Sequence, residues 1–305
     1  MTQAQQIGGP FPVQDTMNVR RKPGIWSRLR RYPIVAITLL SIIVFTGVFA
    51  PLLINVLGLA QPTHNDLINT LAPPVGFGGT WEHPLGTDEL GRDTASRLIS
   101  GARISLLVGI AVVLGAGAIG TALALLSGYF GGWIDIIISR VTEVFIAVPF
   151  LLVAIAIRGA VGASTKNLVL LLIFLSWAGY ARVLRSEVLK LKQLEYIKLA
   201  RVAGCSHARI LFRHLLPNII NPLVILASLQ LGATIVIEAS LSFLGLGVPP
   251  PQASWGGMLA SGKNYIGVQN SQVIVPGVAI FVTVLAINLL GDWLRVRLDP
   301  RFRQL

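Results

Sequence analysis

The sequence predicts an all-α integral membrane protein with six transmembrane helices, and three observations carry that expectation. Only 12% of the 305 residues are charged, where soluble domains carry about 25%. Hydrophobic residues make up 53% of the chain, and the mean hydropathy is +0.72. Six apolar runs approach or reach the roughly 20 residues needed to cross about 30 Å of hydrocarbon.

The first run, Pro33–Leu57, holds no charge. It is longer than a signal-peptide core and is followed by no small-x-small cleavage pattern, so it reads as a retained anchor. The second, Ile104–Leu126, ends at the turn-like SGYFGGW, and the third spans Trp133–Ile157. The fourth, Leu168–Tyr180, is short with polar margins; the fifth is Ile219–Ile237 and the sixth Val273–Leu290. Residues 1–25, with Gly8, Gly9, Pro10, Pro12, Pro23 and Gly24, read as a mobile cytoplasmic tail. Four parts follow: that tail, an anchor helix with an external loop over 26–103, a core of five spans over 104–294, and a cytoplasmic tail over 295–305. The core includes a cytoplasmic loop at 181–217.

Charge orients the spans. With the N-terminus inside, the cytoplasmic segments 1–32, 127–132, 181–217 and 291–305 hold 6, 0, 8 and 4 Lys or Arg, 18 of the 25. The external segments hold 6, and Arg140 lies within the third span. This is the positive-inside pattern, with both termini cytoplasmic. The net charge of +12 is then a matter of topology and contact with anionic lipid, not of a nucleic-acid partner.

Several motifs carry no chemistry on inspection. Gly115, Gly117 and Gly120 spell GxGxxG, but inside an apolar helix with no preceding strand, where small residues serve close helix packing. Gly257 to Asn264 approximates a phosphate-binding loop but has Asn264 where Ser or Thr holds magnesium. The four histidines His64, His83, His207 and His214 fall on both sides of the membrane, and the single Cys205 excludes an intrachain disulfide. No catalytic constellation stands out, so the chain reads as non-catalytic, without a cofactor or metal of its own.

Three charged residues in or beside the spans are candidates for a pathway or gate. Arg140 and Glu143, three residues apart on the third span, can pair on one face; they serve either as pathway or gate residues or as an internal salt bridge near the cytoplasmic boundary, toward which Arg140 can snorkel. Glu238 lies at the outer end of the fifth span, with better access to an external ligand.

The segment EYIKLARVAGCSHARILFRHLLPN, Glu195–Asn218, is too polar to enter the membrane yet carries Ile197, Leu199, Val202, Ile210, Leu211 and Leu215. It predicts two short helices, the first ending near Gly204 and the second capped by Ser206, with Pro217 beginning the fifth span. Lys198, Leu199, Ala200, Arg201, Ala203, Gly204, His207 and Arg209 would then suit docking into a groove on a soluble partner or contact with lipid headgroups.

This segment resembles the EAA loop of ABC-importer permeases. Lys198-Leu199-Ala200 stands at the E-A-A positions, Gly204 at the glycine, His214 at the isoleucine and Leu216-Pro217 at the final pair. ARVAG with RHLLPN is similar to the variant in dipeptide, oligopeptide and nickel permeases. Three more stretches carry the same resemblance: His83–Gly109 before the second helix, Glu238–Leu259 in the last external loop, and Asn288–Arg301 at the C-terminus. The resemblance is to the C-type subunit and covers the chain from about Trp26.

It implies a type I ABC-importer permease in the bacterial inner membrane, working beside a second, homologous permease subunit. Two cytoplasmic ATPase subunits carrying Mg-ATP would dock on the loop, and an extracytoplasmic solute-binding protein would deliver a dipeptide or oligopeptide. Glutathione and nickel chelates are alternatives within the family. A self-sufficient channel or secondary transporter would need ion-coupling charges at midplane, for which Arg140 and Glu143 are the candidates.

Overall fold

A computed structural model describes residues 33–298 of the chain. The expected tail at 1–25 and the residues beyond Leu298 lie outside that range. Among the described residues the regular structure is helical: α1 Ile34–Val48, α2 Ala50–Val56, α3 Thr94–Phe130, α4 Gly132–Ala147, α5 Phe150–Val161, α6 Thr165–Lys192, α7 Glu195–Val202, α8 His207–Phe243, α9 Trp255–Gly262 and α10 Ser271–Leu298.

Helices α3, α6, α8 and α10 are each long and apolar enough to cross a membrane alone. Two bent pairs, α1 with α2 and α4 with α5, bring the number to six if each is one span. Both bends correct an expected unbroken run and both have a proline at the break. The first run turns by 82° after Val48, where Pro51 sits in the first turn of α2 and its ring is incompatible with a continuing helix. The third turns by 90° at Val148, which is extended, and Pro149, as the restriction on a residue before proline requires.

The unbroken helices outrun their apolar runs because caps, not polarity, end them. Helix α3 begins ten residues before Ile104 because the Asp93 carboxylate accepts from the Ser96 N–H at 2.7 Å. It stops at Gly131, whose φ of 71° few other residues adopt. Helix α6 starts at Thr165, where Ser164 accepts from the Asn167 N–H, and runs to Lys192. Helix α8 extends from His207 to Phe243 and tolerates Pro222 in its interior.

The α3–α6 seam is the centre of the bundle. A side chain added at Gly120 would place its Cβ 2.4 Å from Tyr180 Cβ and 2.7 Å from the Trp177 carbonyl oxygen. Gly115 meets Ile173 and Gly128 meets Val188 in the same way. Gly115 and Gly120 of the GxGxxG stretch therefore serve close packing, as the sequence predicts, whereas a Cβ at Gly117 would meet Tyr180 at an ordinary 3.6 Å. Around this seam α8 packs on α3, α6 and α10, and α1 packs on α3 and α10.

The segment between α2 and α3 is knitted to the bundle by buried polar groups. Asp88 takes Arg92 Nε at 2.7 Å and Arg97 Nε at 3.3 Å, and Asp93 takes His83 Nδ1 at 3.2 Å. From α10, Gln272 donates to the Thr87 carbonyl and to Thr94 Oγ1. The nearby Gln269 donates to the Ala72 carbonyl at 2.7 Å. The resemblance-bearing stretch His83–Gly109 is thus a folded platform running into α3.

Candidate functional site

The segment Glu195–Asn218 projects from the bundle end formed by the last turn of α3 and the end of α6. Helix α7 follows α6 after a short turn and ends at Ala203, beyond which Gly204 adopts a φ of +77°. That is the left-handed geometry expected of a helix terminus there. Ser206 then accepts from the Arg209 N–H at 3.3 Å. The second short helix is not separate, however: it forms the opening turns of α8, through a π-helical stretch at Ile210–Leu215. In that stretch the Leu216 N–H reaches back five residues to Leu211. The widened turn lets the chain pass Pro217, which has no N–H to donate, without a break.

One face of this element is anchored. Ile197, Ile210 and Leu215 are fully buried among Leu125, Tyr129 and Val188. Tyr129 Oη and His207 Nδ1 are 2.7 Å apart, and the Arg201 guanidinium lies 5.3 Å above the Tyr129 ring. The opposite face is open. Leu199 is 67% exposed and Val202 85%, with Lys198, Ala203, Gly204 and Arg209 exposed around them, Ala200 half-buried, and Arg201 and His207 exposed at the edge where they meet Tyr129. The eight sequence-predicted residues therefore gather in one protruding element. Val202, read from the sequence as one of the segment's apolar residues but not placed in the docking set, belongs with them. The signal was available, since Val202 follows Leu199 by three residues on the helix face away from Ile197.

The charged candidates separate. Arg140 Nη1 and Glu143 Oε2 pair at 2.8 Å, with side chains 77% and 58% exposed. Glu238 is instead 1% exposed, its carboxylate accepting from Ser242 Oγ at 2.7 Å and Ser105 Oγ at 3.4 Å. Access to an external ligand is thus corrected. Helix α9 covers this level of α8: Gly256 packs so closely on Ala239 that an added Cβ would lie 2.5 Å from its Cα. Serine hydroxyls satisfy the carboxylate.

Two further charged centres escaped sequence reasoning. Asp135 takes Arg185 Nε at 2.5 Å and Nη2 at 2.6 Å and also accepts from Ser127 Oγ, tying α4 to α6 and α3. Arg158, at the end of α5, donates to the carbonyls of Gly162, Ser164, Leu246 and Gly247 at 2.6 to 2.9 Å. These partners lie up to 89 residues apart, beyond any local pattern. Among the described residues no group of three or more His, Cys, Asp or Glu is placed to hold a metal ion.

A bundle of membrane-length helices, with one anchored basic element standing out at an end, has the build of a transport permease. Residues 120–304 match the family described as the binding-protein-dependent transport system inner membrane component, and the chain belongs to that family of ABC-importer permeases. Among its relatives, the glutathione transport system permease protein GsiD of Pectobacterium atrosepticum is 46% identical over 72% of this chain and 73% of that protein. The dipeptide transport system permease protein DppC of Alkalihalophilus pseudofirmus is 37% identical over 88% of this chain and 86% of that one. DppC of Haemophilus influenzae is 38% identical over 80% and 83%. A chain from the inward-facing MetNI methionine ABC transporter shares the fold, with a TM-score of 0.55 at 18% identity, over 66% of this chain and 96% of that one.

Proposed function

We propose that the chain is the membrane subunit of an ATP-driven importer of short peptides, and that α7 with the start of α8 is where ATPase motion enters it. In this reading it pairs with a second, homologous permease subunit to enclose the path. An extracytoplasmic solute-binding protein supplies the solute, and two ATPase subunits holding Mg-ATP dock from the cytoplasm. The Lys and Arg balance supports a cytoplasmic position for α7 and both termini. Hydrolysis belongs to the ATPase subunits; this chain contributes a two-state rigid-body movement.

The observation that carries the coupling role is the two-faced build of α7. Its Ile197 side is locked to the transmembrane core while its Leu199 and Val202 side stands in solvent. A partner pressing on the open side therefore acts on α3, α6 and α8 together. Relatives named as dipeptide and glutathione permeases support a solute of two or three residues with a free carboxylate.

Val202→Asp tests the docking assignment. Val202 touches little within the chain, so the variant is expected to accumulate normally in the membrane. Desolvating a new carboxylate at a docked interface is expected to lower binding-protein-stimulated ATP hydrolysis and peptide uptake by about tenfold. Undiminished uptake would remove α7 as the coupling element. An uptake panel of dipeptides, longer peptides and glutathione then assigns the solute.

A further inference from the structure

Counted from Gly132, Glu143 lies 11 residues along α4, about 16 Å at 1.5 Å per residue. With the hydrocarbon boundary set at the start of α4, that is about half the thickness of a hydrocarbon core. The Arg140–Glu143 pair is nevertheless largely exposed. A short glutamate side chain at that depth cannot snorkel to the headgroups, and an ion pair facing acyl chains is disfavoured. This side of α4 therefore suits a polar path shared with the partner permease subunit better than lipid.

A cavity of about 230 Å³ opens beside it, between α3, α4 and α6. Its polar wall comprises Ser127, Ser139, Thr142, Glu143, Arg182 and Arg185. The two arginines are not equivalent. Arg185 is neutralised by Asp135, which holds it through both Nε and Nη2. Arg182, which heads the 181–217 segment expected to be a cytoplasmic loop but lies within α6, is exposed and forms no ion pair or hydrogen bond among the described residues. With Glu143 matched by Arg140 and Asp135 by Arg185, Arg182 is the unmatched charge of the cavity. A guanidinium offers a planar pair of donors suited to a carboxylate. The volume is below the roughly 300 to 1,000 Å³ of pockets that enclose whole ligands, so the cavity accommodates one end of a solute.

We propose that this cavity is a station on the translocation path that receives the terminal carboxylate of a short peptide, with Arg182 as its ligand; the assignment rests on the peptide-importer reading above. Nothing covalent happens there. The carboxylate exchanges water for the guanidinium and leaves again when the bundle changes state.

The test uses the complete transporter with its binding protein in proteoliposomes, with alanyl-alanine and glutathione as probes. Arg182→Gln is expected to lower uptake of the transported probe by about tenfold, while binding-protein-stimulated ATP hydrolysis stays within about twofold of its normal rate. Arg182→Lys keeps a cation and is expected to retain most of the uptake. Separately, Glu143→Cys in a Cys205→Ser background is expected to react with a sulfonate-bearing, membrane-impermeant thiosulfonate, and saturating peptide is expected to slow that reaction. Unchanged uptake in Arg182→Gln, equal loss of uptake and ATP hydrolysis, or a thiol at 143 inert to the reagent would overturn the station alone. No uptake of either peptide by the unaltered complex would overturn the importer reading as well.

Discussion

Tyr129 occupies the last turn of α3, where its hydroxyl meets His207 Nδ1 at 2.7 Å and its ring lies under the Arg201 guanidinium. The residue thereby joins α7 and the start of α8 to the core through three kinds of contact: a hydrogen bond, a cation–π contact and apolar burial. Tyr129→Phe removes only the first and is expected to cost about 1 kcal/mol. Tyr129→Ala removes all three and opens a cavity, at about 3 to 5 kcal/mol if its neighbours do not collapse. Thermal unfolding of the solubilised complex distinguishes the two, and equal unfolding temperatures for Phe and Ala would mean that the ring anchors nothing. Glu238 shows where residue-level reading reaches its end. Its position at the outer end of an apolar run was plain, but its burial depends on α9, whose Gly256 packs on Ala239 from 17 positions further along the chain.

At the scale of elements, the α3–α6 seam depends on absent side chains. Gly120→Leu would drive its side chain into Tyr180 and the Trp177 carbonyl, both too well packed to yield. The variant is expected to be lost from the membrane or to unfold at a much lower temperature, whereas a substitution at Gly159, which has nothing within 4 Å, is expected to be tolerated. Normal accumulation of Gly120→Leu would contradict the packing. Much of the element plan was readable. Apolar runs located the helices, Gly204 and Ser206 located the joint after α7, and the glycine spacing indicated close packing. Helix ends were harder, because hydropathy stops where polarity begins whereas a helix stops where its caps lie, as at Asp93 and Ser164. The bends at Pro51 and Pro149 were visible as prolines, but proline carries no charge and leaves an apolar window intact.

For the molecule as a whole, Lys and Arg are concentrated in the 181–217 segment that carries α7, and the positive-inside rule predicts a cytoplasmic position for it. In a Cys205→Ser background, a cysteine introduced at exposed Ile68 is expected to react with an impermeant maleimide from outside the cell. One at exposed Gln193 is expected to react only after the membrane is opened. The reverse pattern would invert the orientation and separate α7 from any cytoplasmic partner. Whole-molecule charge pairing was the least legible level. Asp135 and Arg185 stand 50 residues apart and Arg158 and Gly247 89, so only the folded bundle reveals that they meet.

The length of α3 has a mechanical consequence. At 37 residues and 1.5 Å per residue, it is a rod of about 55 Å, seated at Asp93 in the folded platform and at Tyr129 against the basic element. Gly120, the glycine of α3 with the least room for a side chain, lies far closer to Tyr129 than to Thr94. Pivoting there as a rigid body, the rod would act as an unequal lever, turning a small stroke at the short arm into a swing about three times larger at the far end.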